Sequence, residues 1–167
     1  MDKDCNRTEL AEKLFKEGYN CCQAVVLAYA DCFELDKDTA ARLGAGFGGG
    51  MGRLREVCGA FSGAVLLAGM KTPFSVEDYE AKKAVYHIVQ DMAKDFEKIN
   101  GSIVCRELLG LAKKADDPTP SQRTQEYYKK RPCAEIVHTA AEIVEAHLLF
   151  GKTDEGTKLV DPLLNTD

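Results

Sequence analysis

The sequence predicts an all-α fold, a compact single-domain helical bundle of about six to seven helices. Apolar residues recur at helical spacing along most of the 167 residues, and runs that alternate apolar and polar residues as a strand would are absent. With 45% hydrophobic residues, a chain of this length can bury a core without cross-links. We therefore expect one helical domain over residues 1–150 and a polar C-terminal tail over residues 151–167.

The first half of the chain is predicted to contain four helices, over residues 8–17, 21–33, 38–43 and 56–68. Gly18 ends the first helix, and Asn20 with Gln23 occupy the positions of a capping pair at the start of the second. In the fourth helix Gly59 and Gly63 lie four residues apart, which lets another backbone approach closely. Dense packing is expected there.

The second half is predicted to contain three helices, over residues 78–99, 105–111 and 132–150. Ser75 and Asp78 mark the start of the longest helix, and Asn100 with Gly101 mark its end. Pro132 favours the first position of the last helix.

Composition and charge exclude several classes of function. The net charge of −5 leaves no basic surface of the kind that neutralises nucleic-acid phosphates, so we expect no nucleic-acid partner. The longest apolar run, residues 57–70, contains three glycines and is too short to cross a bilayer, so no membrane insertion is expected. The start of the sequence does not resemble a secretory signal, which predicts a cytoplasmic protein.

The stretch GAGFGGGMGR, residues 44–53, is unusually rich in glycine. Its first glycines match the letters GxGxxG of a dinucleotide-binding loop, but a short predicted helix precedes them where that motif needs a strand. A P-loop also fails, because Gly-Lys followed by Ser or Thr is absent. We interpret the stretch as a tight turn that positions the following helix start, which carries Cys58.

The seven cysteines are odd in number, which disfavours a disulfide framework in a reducing compartment. Four of them lie at or near predicted helix starts and head apolar stripes: Cys21, Cys58, Cys105 and Cys133. Helix N-termini stabilise thiolates, so we expect lowered thiol pKa values at these positions. The inward stripes predict that all four sulfurs point towards the core.

The remaining candidate residues receive structural interpretations. The other three cysteines are interpreted as small buried hydrophobic residues: Cys5, Cys22 and Cys32. Three arginines flank the candidate cysteines and would offset thiolate charge: Arg55, Arg106 and Arg131. The three histidines lie in the middle of predicted helices and are interpreted as core or surface residues, which disfavours a cysteine hydrolase: His87, His138 and His147.

Several ordered motifs together carry a family resemblance: NCxQA at residues 20–24, GFGGGMG at 46–52, CGAxxG at 58–63, CRELLG at 105–110, and Cys133. Over about residues 10–148 the chain resembles the C_GCAxxG_C_C family of redox-active proteins. The resemblance implies a small helical protein with four characteristic cysteines, here Cys21, Cys58, Cys105 and Cys133. Cys22 stands where a small residue is expected, so either neighbour could be functional, and we favour Cys21 because it follows Asn20.

Three functions are compatible with four such cysteines. The first is an iron–sulfur cluster of the 2Fe–2S or 4Fe–4S type, used for electron transfer or sensing. The second is metal-free thiol chemistry, in which Cys58 attacks a disulfide or peroxide and Cys105 or Cys133 resolves the product. The third is a structural zinc ion with four cysteine ligands. We favour the iron–sulfur cluster and leave open whether the protein is an oxidoreductase or an electron carrier. We also expect a redox partner protein and a homodimer.

Overall fold

The computed structural model describes residues 6–72, 75–112 and 115–150. Within these ranges the chain forms eight α-helices: α1 (Arg7–Lys16), α2 (Cys21–Ala28), α3 (Lys37–Ala45), α4 (Gly59–Lys71), α5 (Tyr79–Asn100), α6 (Cys105–Leu108), α7 (Gln125–Lys130) and α8 (Cys133–Val144). A 3₁₀ turn, Ala30–Phe33, follows α2, and a π-helical turn, Glu145–Leu149, follows α8. The predicted all-α class is confirmed. The predicted tail and Cys5 lie outside the described residues.

The core lies where α2, α4 and α8 pack against one another, with α1 and α3 against α2 and with α5 against α4 and α8. These three central helices are apolar, and they contribute most of the buried side chains, including Val25, Phe61 and Val137. Burying each such side chain contributes about 1.5–3 kcal/mol to folding. At Gly63 a side chain would lie 3.0 Å from the carbonyl oxygen of Cys22, which confirms the close approach expected between α4 and α2.

Several helix boundaries differ from those predicted, and one helix was not predicted at all. The second helix ends at Ala28, and the 3₁₀ turn after it is closed by Glu34 in a left-handed conformation with φ of 55°. The fourth helix begins at Gly59, because Val57 instead forms an antiparallel β-bridge with Val104. Helix α7 was not predicted, since its sequence QEYYKK is polar and has no buried residue.

Asn20 connects the start of α2 to the end of α3. Its side-chain oxygen accepts hydrogen bonds from the backbone N–H groups of Cys22 and Gln23, and the Gln23 side chain accepts from the Asn20 backbone, as the predicted capping pair requires. The Asn20 amide nitrogen also donates to the carbonyl oxygens of Gly44 and Ala45. These bonds fix the point at which the glycine-rich stretch begins.

In the described part of the chain, every helix is too short or too polar to span a bilayer.

Candidate functional site

The glycine-rich stretch forms a left-handed turn. Five successive residues, 49–53, have φ values between +58° and +69°. This conformation costs an L-residue about 1–2 kcal/mol of conformational free energy, whereas it costs glycine almost nothing. Three of the five residues are glycines, so only Met51 and Arg53 carry the energetic cost of the left-handed conformation. The turn follows helix α3, where a dinucleotide-binding loop would follow a strand.

Backbone pairing after the turn places Cys58 beside Cys105. The Cys58 N–H donates to the Ile103 carbonyl oxygen at 2.8 Å, and the Cys105 N–H donates to the Glu56 carbonyl oxygen at 2.6 Å. These bonds flank the bridge between Val57 and Val104. Two cysteines that are far apart in the sequence are thereby held at neighbouring helix starts, Cys58 as the N-cap of α4 and Cys105 as the first residue of α6.

Cys21 and Cys133 are the first residues of α2 and α8, which pack against each other and against α4. A Cβ atom at Gly59 would overlap the Cys21 sulfur, so that sulfur lies directly against the start of α4. One cavity of about 390 Å³ is lined by all four candidate cysteines: Cys21, Cys58, Cys105 and Cys133. Cys22 is fully buried in the core, and neither it nor Cys32 lines this cavity.

Burial raises the pKa values of Cys21, Cys58 and Cys133, so the predicted lowering is wrong for these three thiols. Loss of solvent raises the pKa of Cys21, and it raises that of Cys58 well above its ordinary value. It raises the pKa of Cys133 to about 12. Backbone N–H groups of Gly49 and Cys22 act in the opposite direction on Cys21, as expected at a helix start, but burial outweighs them.

The raised pKa values predict that the metal-free protein loses stability as the pH rises above about 8.5, where unfolded thiols ionise. The folded thiols keep their protons there, so the unfolded state binds fewer protons and becomes more favourable. Each thiol contributes a slope of at most about 1.4 kcal/mol per pH unit. Urea unfolding of the metal-free protein from about pH 7 to about pH 10 measures this dependence of the free energy of unfolding on pH. Cys133→Ala should reduce the slope, and an unchanged slope in that variant would contradict the assignment.

Arg55 is buried beside the cysteines, with 2% of its surface exposed. Its Nη1 donates to the Cys105 sulfur at 3.8 Å, while Nε and Nη2 donate to Asp116 Oδ2 at 2.9 and 2.6 Å. The Arg55 hydrogen bond holds the pKa of Asp116 below its usual value. Arg53 also lines the cavity and donates to the Asp117 carbonyl oxygen at 2.6 Å. These bonds fasten the loop that contains both aspartates to the residues that follow the glycine turn.

The flanking arginines identified in the sequence divide into two groups. Arg55 and Arg131 line the cavity, whereas Arg106 forms an ion pair with Glu56 at 3.1 Å and does not line it. Sequence reasoning missed Arg123, which also lines the cavity. It lies in a polar stretch ten residues before Cys133, and nothing in the local pattern marks it as part of a site.

None of the three histidines lines the cavity. His87 is exposed, His138 Nδ1 lies 3.4 Å from a Glu12 oxygen, and His147 Nε2 lies 2.8 Å from an Asp95 oxygen. Across the described ranges, no three His, Cys, Asp or Glu side chains are grouped closely enough to hold a metal ion.

The fold and the site define a class: an all-α protein in which cysteines from four helix starts line one cavity. The family model "Putative redox-active protein (C_GCAxxG_C_C)" matches residues 19–147, and the chain belongs to this family. The match includes all four cavity cysteines. No curated protein and no solved structure matches the chain.

Proposed function

We propose that Cys21, Cys58, Cys105 and Cys133 bind an iron–sulfur cluster that serves electron transfer or sensing. The observation that carries the proposal is that these four cysteines line the same cavity of about 390 Å³. Four cysteine thiolates are the usual ligand set of 2Fe–2S and 4Fe–4S clusters. When bound, the cluster would supply a one-electron change of oxidation state, exchanged with a redox partner protein.

The chain surrounds these sulfurs with hydrogen-bond donors. Hydrogen bonding by the backbone N–H groups of Gly49 and Cys22 acts to lower the pKa of Cys21, and that of Ala60 and Phe61 acts to lower the pKa of Cys58. The Arg55 guanidinium donates to the Cys105 sulfur at 3.8 Å. Such donors stabilise anionic sulfur ligands and tune the reduction potential of the centre that they hold. The donor set therefore suits a negatively charged cluster.

A single zinc ion fits this arrangement less well. Four sulfurs at about 2.3 Å from one tetrahedral ion lie only about 3.8 Å from each other. No three ligands among the described residues are grouped closely enough to hold a metal ion, and a single-ion site requires the closest grouping. A cluster of several iron and sulfide ions spreads its ligands farther apart, so a shared cavity between the cysteines favours a cluster over zinc.

Metal-free thiol chemistry is also less favoured. An attacking thiol must be ionised and accessible. Cys58, the candidate nucleophile, is 7% exposed and has a pKa raised well above its ordinary value by burial. At neutral pH it is therefore a protonated, enclosed thiol and a poor nucleophile.

Elemental analysis of protein purified without oxygen tests the proposal. We expect brown protein that contains iron and acid-labile sulfide in equal amounts, with visible absorption that bleaches on reduction. Zinc in place of iron would support the structural zinc site instead. Colourless protein that contains neither metal, with one rapidly alkylated thiol, would support thiol chemistry and reject the cluster.

A further inference from the structure

Two arginines of the cavity wall converge on one aromatic ring. The guanidinium carbons of Arg123 and Arg131 lie 4.9 and 5.0 Å from the centroid of the Tyr127 ring. Arg123 also lies 4.4 Å from the centroid of the Phe15 ring. Stacking on aromatic faces fixes the orientation of a guanidinium group. Both guanidinium groups are therefore held in place at the cavity that all four of these residues line.

In the described part of the chain neither charge has a carboxylate within ion-pair distance, and Asp116 interacts with Arg131 only from farther away. Arg53 and Arg55 share Asp116, but no carboxylate there forms an ion pair with Arg123 or Arg131. The cavity lining contains four arginines and no aspartate or glutamate. Like charges at short range repel each other, and the repulsion is stronger in a site of low dielectric constant. The arrangement is complementary to an anion.

One guanidinium nitrogen is left without a partner. Arg123 Nη1 is buried and has no hydrogen-bond partner among the described residues, whereas Nη2 donates to the Tyr19 carbonyl oxygen at 3.4 Å. A buried donor that bonds to nothing costs about 1–3 kcal/mol, and more when it is charged. Arg123 therefore keeps one charged donor that the described residues leave unused.

We propose that Arg123 and Arg131 bind a small anion with two or more acceptor oxygens, an inorganic oxyanion or a small carboxylate, beside Cys21 and Cys133. Both arginines line the same cavity as Cys21 and Cys133, which places the anion next to these sulfurs. The planar guanidinium fork matches paired oxygens. A cavity of about 390 Å³ is within the usual range for small-molecule sites. The anion's role as a substrate or effector of the redox centre rests on the proposed function, but its binding does not.

Isothermal titration of the full chain, purified without oxygen, tests this site. The probes are inorganic phosphate and acetate, with chloride as the control at constant ionic strength. We expect one site per chain for phosphate or acetate and none for chloride. Arg123→Gln and Arg131→Gln should each weaken binding by about tenfold or more, as loss of a charge-assisted hydrogen bond predicts. Arg42→Gln is the matched control, because Arg42 is exposed on α3 and pairs with Asp38.

Absence of binding by both phosphate and acetate would overturn the proposal, as would equal weakening by Arg42→Gln, which would indicate only general attraction to positive charge. If Arg123→Gln fails to fold, Arg131→Gln and Arg123→Lys decide the question, because the lysine keeps the charge but loses the fork. Iron measured in the same samples separates the two proposals. Anion binding without iron would support this site and reject the cluster, and iron without anion binding would do the reverse.

Discussion

Alanine at any one of the four cavity cysteines is expected to lower bound iron by about tenfold or more, because each removes a ligand that no neighbouring residue can replace. The four variants are Cys21→Ala, Cys58→Ala, Cys105→Ala and Cys133→Ala. The cavity lining offers no histidine, aspartate or glutamate as a substitute. Iron and sulfide per chain, measured after anaerobic purification, give the result.

Cys22→Ala is the matched control for this series. Cys22 is adjacent to Cys21 and fully buried, but it faces the core and does not line the cavity. The variant should keep its iron and lose only about 1 kcal/mol of stability from the smaller side chain. Iron loss in Cys22→Ala together with retention in Cys21→Ala would show that the structure places the wrong neighbour at the site.

Alanine at Gly50 is expected to destabilise the protein more than alanine at any other glycine of the left-handed turn. Gly50 has φ of +69°, and a Cβ there would lie 2.6 Å from the Cβ of Cys105. The left-handed conformation costs an L-residue about 1–2 kcal/mol. Forcing an extra methyl group into a packed site adds about 1–3 kcal/mol. The free energy of unfolding in urea measures the sum.

Gly52→Ala separates the two contributions. Gly52 has φ of +58°, and its nearest neighbour for an added Cβ is the Gly46 carbonyl oxygen at 4.0 Å. Gly52→Ala introduces the conformational cost of the left-handed region without a steric overlap. Gly50→Ala should therefore be less stable than Gly52→Ala by ~1–3 kcal/mol. If the two variants were equally stable, Gly50 would not be packed tightly against Cys105, and the glycines would be needed only for their left-handed backbone conformation.

The helix starts could be predicted because their signals are local. Asn20 with Gln23 and Pro132 mark where α2 and α8 begin, and the apolar stripes behind Cys21 and Cys133 indicate which way these residues face. Periodicity likewise predicted an all-α fold, since a helical stripe is visible in any short window. The family resemblance rested on the same local motifs.

The features of the fold and site that could not be predicted from the sequence depend on contacts between distant segments. Burial of the Cys58 thiol outweighs the effect of a helix start on its pKa, and burial depends on every element around it. Arg123 joins the cavity through stacking on Phe15 and Tyr127, which residue spacing does not encode. The bridge between Val57 and Val104 depends on tertiary packing, and it moved the start of the fourth helix from residue 56 to Gly59.

X-ray absorption at the iron edge, measured on the anaerobic protein, tests the central claim most directly. If Cys21, Cys58, Cys105 and Cys133 jointly hold a cluster, each iron should show a first shell of sulfur alone, with a second shell from neighbouring iron. The average number of sulfur neighbours per remaining iron should fall in Cys58→Ala and stay unchanged in Cys22→Ala. A first shell of oxygen or nitrogen without an iron neighbour in the unaltered protein would contradict the account.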